Sequence, residues 1–269
     1  MQSPRNQSGF GMGMGPAGLS ARHGCANVCA RSHHTPRIGG RPACRAIPAG
    51  RPARGRRNIA MLYEVRAYTF TIGSLDEAVE DFGSIIEERT KLSRLICFFR
   101  SAIGDLDRIF HIWEYENAAH RERVRAEAQS QAWWPPLKAE KILYQQTRLM
   151  TAAPFRASPR TGAMGSVYEV RSDTIHTGTM GKISAAWDTH LPAREELSPL
   201  AAAFANPANE FASGILNEFL HIWPYRDLNH WAEVDEAANR LAGWRDCSNP
   251  FLKARKSEIW VPVEYSPMH

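Results

Sequence analysis

The chain has 269 residues, 43% hydrophobic and 23% charged, the balance of a globular protein with room for two domains. No stretch of eighteen apolar residues occurs, which excludes a membrane-spanning helix. The formal charge of +5 is unevenly placed: residues 1–60 hold ten Arg and no Lys, Asp or Glu, which leaves residues 61–269 mildly acidic.

Residues 1–60 also contain ten Gly and six Pro, with no helical or strand period among their apolar residues. Such a stretch buries too little surface to offset its chain entropy and is expected to be disordered. It reads as an extension with no structural role, with Met61 placed as a start just before the first strand. Two other readings are an organellar transit peptide, being Arg-rich and free of acid, and a basic arm carrying Arg51, Arg54, Arg56 and Arg57. No continuous apolar segment of a secretory signal is present. Three of the five cysteines, Cys25, Cys29 and Cys44, fall here, and Cys97 and Cys247 stand singly beyond. That is no disulfide framework, and it fits a reducing, cytoplasmic setting, or a mitochondrial one if residues 1–60 are a transit peptide. The loose Cys25–Cys29 spacing near His23, His33 and His34 does not make a zinc site.

From Met61 the pattern changes. Met61–Phe70 alternates and is rich in strand formers. Ser74 and Glu77 have the spacing of a capping box, and Leu75, Ala78, Val79, Phe82, Ile85 and Ile86 give the helix behind it one apolar face. Leu95–Ala102 and Arg108–Tyr115 read as a hairpin turning at Gly104-Asp105. Asn117 caps a second helix reaching about Gln129, Trp134-Pro-Pro ends that region, and Gln145–Thr151 is a last strand. Residues 156–164 form a linker.

The same order then recurs. Tyr63-Glu64-Val65-Arg66 returns as Tyr168-Glu169-Val170-Arg171, and Gly73-Ser74 as Gly178-Thr179, both 105 residues on. The hairpin returns 110 residues on, with His111-Ile112-Trp113 and Tyr115 matched by His221-Ile222-Trp223 and Tyr225, and Trp134 by Trp244. Gly165–Asp173 is therefore a strand, Met180–Leu191 a helix, and Pro192–Phe204 a helical insertion. Glu210–Leu216 and Glu218–Tyr225 form the hairpin, Leu228–Leu241 is a helix, and Glu258–Val263 closes the copy. Two copies of β-α-β-β-α-β predict an α+β protein of two tandem ferredoxin-like domains, residues 61–155 and 165–265. A four-stranded sheet with both helices on one face leaves the other face bare, so the two sheets should pair face to face as a pseudo-dimeric α/β barrel.

Strand alternation puts Glu64, Arg66, His111, Trp113 and Tyr115 on one face, and Val65, Phe110 and Ile112 on the other. If helices claim the apolar face, the first group looks into the barrel. Glu169, Arg171, Asp173, His221, Trp223 and Tyr225 join it from the second copy, and the interior is polar. Two meanings fit. One is a buried network in which Glu–Arg pairs and satisfied histidines hold the halves together. The other is a pocket in which Arg66 or Arg171 holds an anionic group and His111 or His221 moves protons. An open pocket above about 300 Å3 reaching either histidine would favour the second. Trp134 and Trp244 read as core anchors at helix ends, and His120 and His230 as solvated. Nothing marks either His111 or His221 as a heme ligand, and no cofactor, metal or catalytic signature stands out.

The Tyr-Glu-Val-Arg start, Gly73-Ser74 and the Gly-x-Leu-Asp/Asn-x3-His-Ile-Trp-x-Tyr hairpin, followed by the later Trp, resemble the NIPSNAP family across residues 61–155 and 166–265. The departures are Pro224, where the first copy has Glu114, and the long basic start. The resemblance implies tandem ferredoxin-like α/β-barrel units, relatives associated with mitochondria in eukaryotes, and no assigned catalytic residues. The expected function is that of a binding or interaction module for a small anionic or aromatic ligand, a protein partner or another copy of itself; nucleic acid is not expected. The alternative is a cofactor-free enzyme, oxygenase- or isomerase-like, with a polar site inside the barrel, by analogy of fold.

Overall fold

The computed structural model describes residues 61–156, 158–206 and 216–269. The readings of residues 1–60 and the strand expected at 210–216 lie outside these, apart from Leu216. The first repeat is built from β1 (Leu62–Phe70), α1 (Leu75–Leu92), β2 (Leu95–Ile103), β3 (Arg108–Tyr115), α2 (Ala118–Gln129) and β4 (Ile142–Ala152). The second follows as β5 (Val167–Ile175), α3 (Met180–Glu195), β6 (Ala202–Ala205), β7 (Glu218–Tyr225), α4 (Leu228–Arg240) and β8 (Leu252–Pro262).

Each repeat folds as a four-stranded antiparallel sheet, ordered β4-β1-β3-β2 and β8-β5-β7-β6. The two sheets cover each other and join at both edges, β2 to β8 and β6 to β4, into one closed eight-stranded barrel. The seams are short: among the described residues β4 meets β6 only at Thr151 and Ala152, and β8 meets β2 only over 259–262, so the outer lengths of β4 and β8 keep a free edge. The repeat extends to backbone detail. Gly73 and Gly178 both take a positive φ before a helix (79° and 77°), and Asp107 and Asn217 both take one before a strand (53° and 57°). Asp and Asn are among the side chains that tolerate the left-handed region.

Capping follows the sequence at one helix type and departs from it at the other. Asn117 accepts the His120 N–H (2.9 Å), and Asp227 accepts the His230 N–H (2.8 Å). His120 and His230 are half-buried rather than solvated; each ring accepts the N–H of the residue just after the preceding strand, Glu116 or Arg226 (3.1 Å each). The capping box at Ser74 does not form. Its hydroxyl meets Thr71 Oγ1 (2.8 Å), and Glu77 is drawn away to Lys138 and Lys141. The helix expected over 192–204 divides: α3 continues through Pro192 to Glu195, and Ala202–Ala205 is a strand. Alanine favours helix, but pairing of β6 with β7 and β4 overrides that weak preference.

Among the described residues, three apolar cores hold the molecule. One fills the barrel with Val65, Phe99, Phe110 and Ile112 of the first repeat and Tyr168, Val170, Phe204, Leu220, Ile222 and Trp260 of the second. The others lie between each sheet and its own helices, around Phe82, Trp113 and Tyr115, and around Trp187, Trp223 and Tyr225. The two strand faces are therefore the reverse of the expectation. Val65, Phe110 and Ile112 point into the barrel, and Glu64, Arg66, His111, Trp113 and Tyr115 point out beneath the helices. The physical reason is access to water. The barrel is closed all round, so it takes the more apolar face; a sheet–helix interface is open at its margin, where arginine tips can stay hydrated.

Charge enters the barrel where the sheets join. Arg108 pairs with Glu258 across the β2–β8 edge (2.5 Å), and Arg148 pairs with Glu218 across the β4–β6 edge. Arg108 and Glu218 are equivalent positions, as are Arg148 and Glu258, so the first repeat supplies both cations and the second both anions.

Candidate functional site

The repeated polar residues form one network in each repeat, and the two copies nearly coincide. Tyr115 donates to Glu64 (3.1 Å), and Tyr225 donates to Glu169 (3.0 Å). Arg66 reaches Glu64 at 3.1 Å and Arg171 reaches Glu169 at 2.8 Å. One member is supplied by the last turn of α1 or α3. Arg89 donates to Tyr115 (3.0 Å) and lies 4.0 Å over the Trp113 ring; Arg194 donates to Tyr225 (3.3 Å) and lies 4.1 Å over Trp223. Burial alone would raise both glutamates. The neighbouring arginines outweigh it: Arg66, Arg121 and Arg125 hold Glu64 below the ordinary carboxylate range, and Arg171 with the Ser257 hydroxyl does so for Glu169.

The histidines are locked by their tryptophans. Trp113 Nε1 donates to His111 Nδ1, and Trp223 Nε1 to His221 Nδ1, at 2.7 Å each. An indole N–H only donates, so Nδ1 must carry a lone pair and the ring proton sits on Nε2. Burial pushes both histidines below their ordinary value, with Arg66 and Arg89 adding to it at His111 and Asp173 partly opposing it at His221. Each ring is therefore a neutral N–H donor whose one lone pair is already used. This corrects the expectation that His111 or His221 moves protons: the geometry suits donation to an acceptor, not general-base catalysis.

Neither His111 Nε2 nor His221 Nε2 makes a hydrogen bond, but what stands near each nitrogen differs between the repeats. His111 Nε2 has no hydrogen-bond partner, and neither has the buried Nε of Arg66. Both residues line a cavity of about 20 Å3, large enough for a water molecule. That cavity shares Arg66, Tyr68, Phe82, Arg125, Gln129 and Trp134 with a cleft of about 410 Å3 between the end of α2 and the strand edge. The cleft floor and rim are completed by Pro135, Pro136, Leu137 and Ile142. Trp134 is half-buried in this wall and lines the cleft rather than anchoring a core. Trp244 does pack in the core, 5.0 Å from Trp187. In the second repeat the matching cavity is about 30 Å3, and Asp173, Asp235, Arg245 and Arg255 line it with Arg171 and His221. A further cavity of about 640 Å3 at the barrel rim borders Asn206 and Leu216, between which lie residues outside the description.

The expected residues are thus brought together as two sets, five in the first repeat and six, with Asp173, in the second, rather than in one chamber. Among the described residues the barrel interior is apolar apart from the seam ion pairs, and the expected polar residues lie on the outer face of the strands instead. Missed were Arg89 and Arg194, although they stand 105 residues apart like the other repeated positions. Arg121 and Arg125 carry no such signal, since Trp231 and Asp235 replace them. Among the described residues, no three His, Cys, Asp or Glu side chains converge as a metal site, and no helix is long and apolar enough to cross a membrane.

Comparison with known proteins agrees with the duplicated architecture. The chain is 26% identical over 193 residues to Protein NipSnap of Drosophila melanogaster, covering 68% of each chain. It is 30% identical over 219 residues to human NipSnap homolog 3B, covering 77% of this chain and 85% of that one. The match to mouse NipSnap homolog 2, at 24% identity, spans 59% of that protein's length. Among solved structures, a candidate monooxygenase from Lactobacillus acidophilus superposes with a TM-score of 0.53 at 10% identity, over 75% of this chain and 93% of that one. An anthrone oxidase-like protein superposes with a TM-score of 0.51 at 12% identity, over 78% and 94%. These two share the fold. The sequence profile of the NIPSNAP family matches twice, at residues 63–157 and 168–267, and the chain belongs to that family.

Proposed function

We propose that the protein is a small-molecule-binding module whose working site is the first-repeat cleft, and that its ligand is a small organic anion with an apolar or aromatic body. One observation carries this reading. Two buried donors, Arg66 Nε and His111 Nε2, have no hydrogen-bond partner and flank a small cavity that adjoins the 410 Å3 cleft. Buried donors without partners cost free energy, and an acceptor oxygen reaching that cavity would satisfy both. Arg66 and Arg125 give the entrance positive charge, and Trp134, Pro135 and Leu137 give it an apolar wall. The Trp-locked histidine supplies a fixed dipole and no proton transfer, which supports binding over acid–base turnover.

Benzoate is a fair probe, being a flat ring with one carboxylate. Titration into the full chain should give saturable quenching of tryptophan fluorescence, since Trp134 lines the cleft. Arg66→Ala should weaken it about tenfold or more, the loss of a charge-assisted hydrogen bond. Absence of saturable quenching with benzoate and with aliphatic carboxylates alike would overturn the reading.

A further inference from the structure

The two repeats keep the same Glu, Arg, His, Trp and Tyr, yet they differ at the atom that faces the histidine. Asp173 stands at the position of Tyr68: each lies two residues beyond the arginine, Arg171 or Arg66, that is register-paired with the histidine of the neighbouring strand. In the first repeat the Tyr68 ring meets the His111 ring edge-on at 5.3 Å, and His111 Nε2 is left without an acceptor. In the second, Asp173 is buried and its Oδ2 lies 3.5 Å from His221 Nε2, a close carboxylate contact though not a hydrogen bond, so this nitrogen too is without one. The cross-strand neighbour changes in step. Tyr68 faces Gln145, whereas Asp173 faces Arg255, whose Nε lies 3.4 Å from the second carboxylate oxygen. The outer position changes too. Arg125 is replaced by Asp235, which binds Arg245 at 2.8 Å and lies 3.7 Å from Arg171.

We infer that Asp173 is a built-in anion: in the second repeat a carboxylate of the chain itself occupies the place that, in the first repeat, is left for a carboxylate from solution. The inference rests on the reading of the first-repeat cleft and sharpens it, because it names the ligand's head group. The donor set around His221 is that around His111, namely a locked imidazole N–H, a Glu-paired arginine and a second buried arginine on the tryptophan face. The group that this set faces in the second repeat is a planar two-oxygen carboxylate, with Arg255 as its own cation. The second site thus carries its own carboxylate beside a residual cavity of about 30 Å3, whereas the first carries none and adjoins the 410 Å3 cleft.

The test is histidine-ring 15N–1H NMR on the full chain, with acetate and benzoate against chloride at equal ionic strength. In the unaltered protein the His111 Nε2–H signal should move with carboxylate and the His221 signal should not. In Asp173→Ala the His221 signal should become acetate-responsive, and acetate should raise the thermal midpoint more than chloride does. A variant that folds only when acetate is present counts in favour. One that gains nothing from acetate, in signal or in folding, overturns the inference. The converse change, Tyr68→Asp, should fill the first site and reduce the carboxylate response of His111 about tenfold or more; an undiminished response also overturns it. The two readings fail separately. If His111 is silent in the unaltered chain while His221 of Asp173→Ala answers to acetate, the first-repeat cleft is not a carboxylate site and the role of Asp173 stands.

Discussion

The inside of the barrel and the outer face of the same strands are made of alternate residues, yet they carry opposite chemistry. Inside are Val65, Phe110, Ile112, Phe204 and Trp260, drawn from both repeats. Outside, under the helices, are Glu64, Arg66, His111 and their second-repeat counterparts, each set confined to its own repeat. The shared core joins the halves, and the private faces hold the chemistry. One consequence is that the sites can change independently of each other while the barrel cannot.

The strongest way to break this contrast is to damage the shared core. Phe204→Ala removes a ring 4.8 Å from Tyr63, on the opposite repeat, and should cost about 3–5 kcal/mol in urea unfolding. The unfolding should stay a single transition, because both repeats depend on that core; two separate transitions would refute a common interior. Next come the buried arginines of the private faces. Arg89→Leu and Arg194→Leu each leave a buried tyrosine hydroxyl short of a partner and should cost about 1–3 kcal/mol, with similar values in the two repeats. A large cost in one repeat and none in the other would show that the networks are not equivalent.

Acid should then act through the histidines. Both are held neutral in the folded chain, with affinities for protons below the ordinary value, whereas the unfolded chain takes up protons below about pH 6.5. Stability should be fully present above that pH and fall below it, by up to about 1.4 kcal/mol per pH unit for each histidine, until the folded ring itself protonates. Denaturant melts between pH 7.5 and 5.5 measure the slope, and His111→Gln with His221→Gln should flatten it. Glu64 and Glu169, held low by arginines, and Asp173, held low by His221 and then by Arg255 and Arg171, add a separate loss below about pH 4. The smallest effect is expected at the helix caps. Asn117→Ala and Asp227→Ala should each cost about 1 kcal/mol, read as matched shifts in thermal midpoint.

The duplication, the element order and the pairing of the two sheets were legible because glycines, turn residues and the His-Ile-Trp hairpin recur at fixed offsets. Alternation also sorted each strand into two faces correctly. Which face points inward was not legible, since both an enclosed barrel and a helix layer call for apolar cover. The deciding fact, that only the helix side is open to water at its margin, belongs to the closed fold. Asp173 in place of Tyr68 was visible as a difference between copies. Its meaning lay in the fold, because only strand pairing brings its carboxylate to within 3.5 Å of the histidine nitrogen.

The ion pairs at the two seams bear on how such a barrel can be assembled at all. If two first halves were brought together, Arg108 of one would meet Arg148 of the other at each join, and two second halves would set Glu218 against Glu258. Like charges buried in an apolar lining are strongly disfavoured. Separated halves should thus reject their own kind and accept each other, so the complementarity that the chain enforces by covalent linkage is also written into its electrostatics.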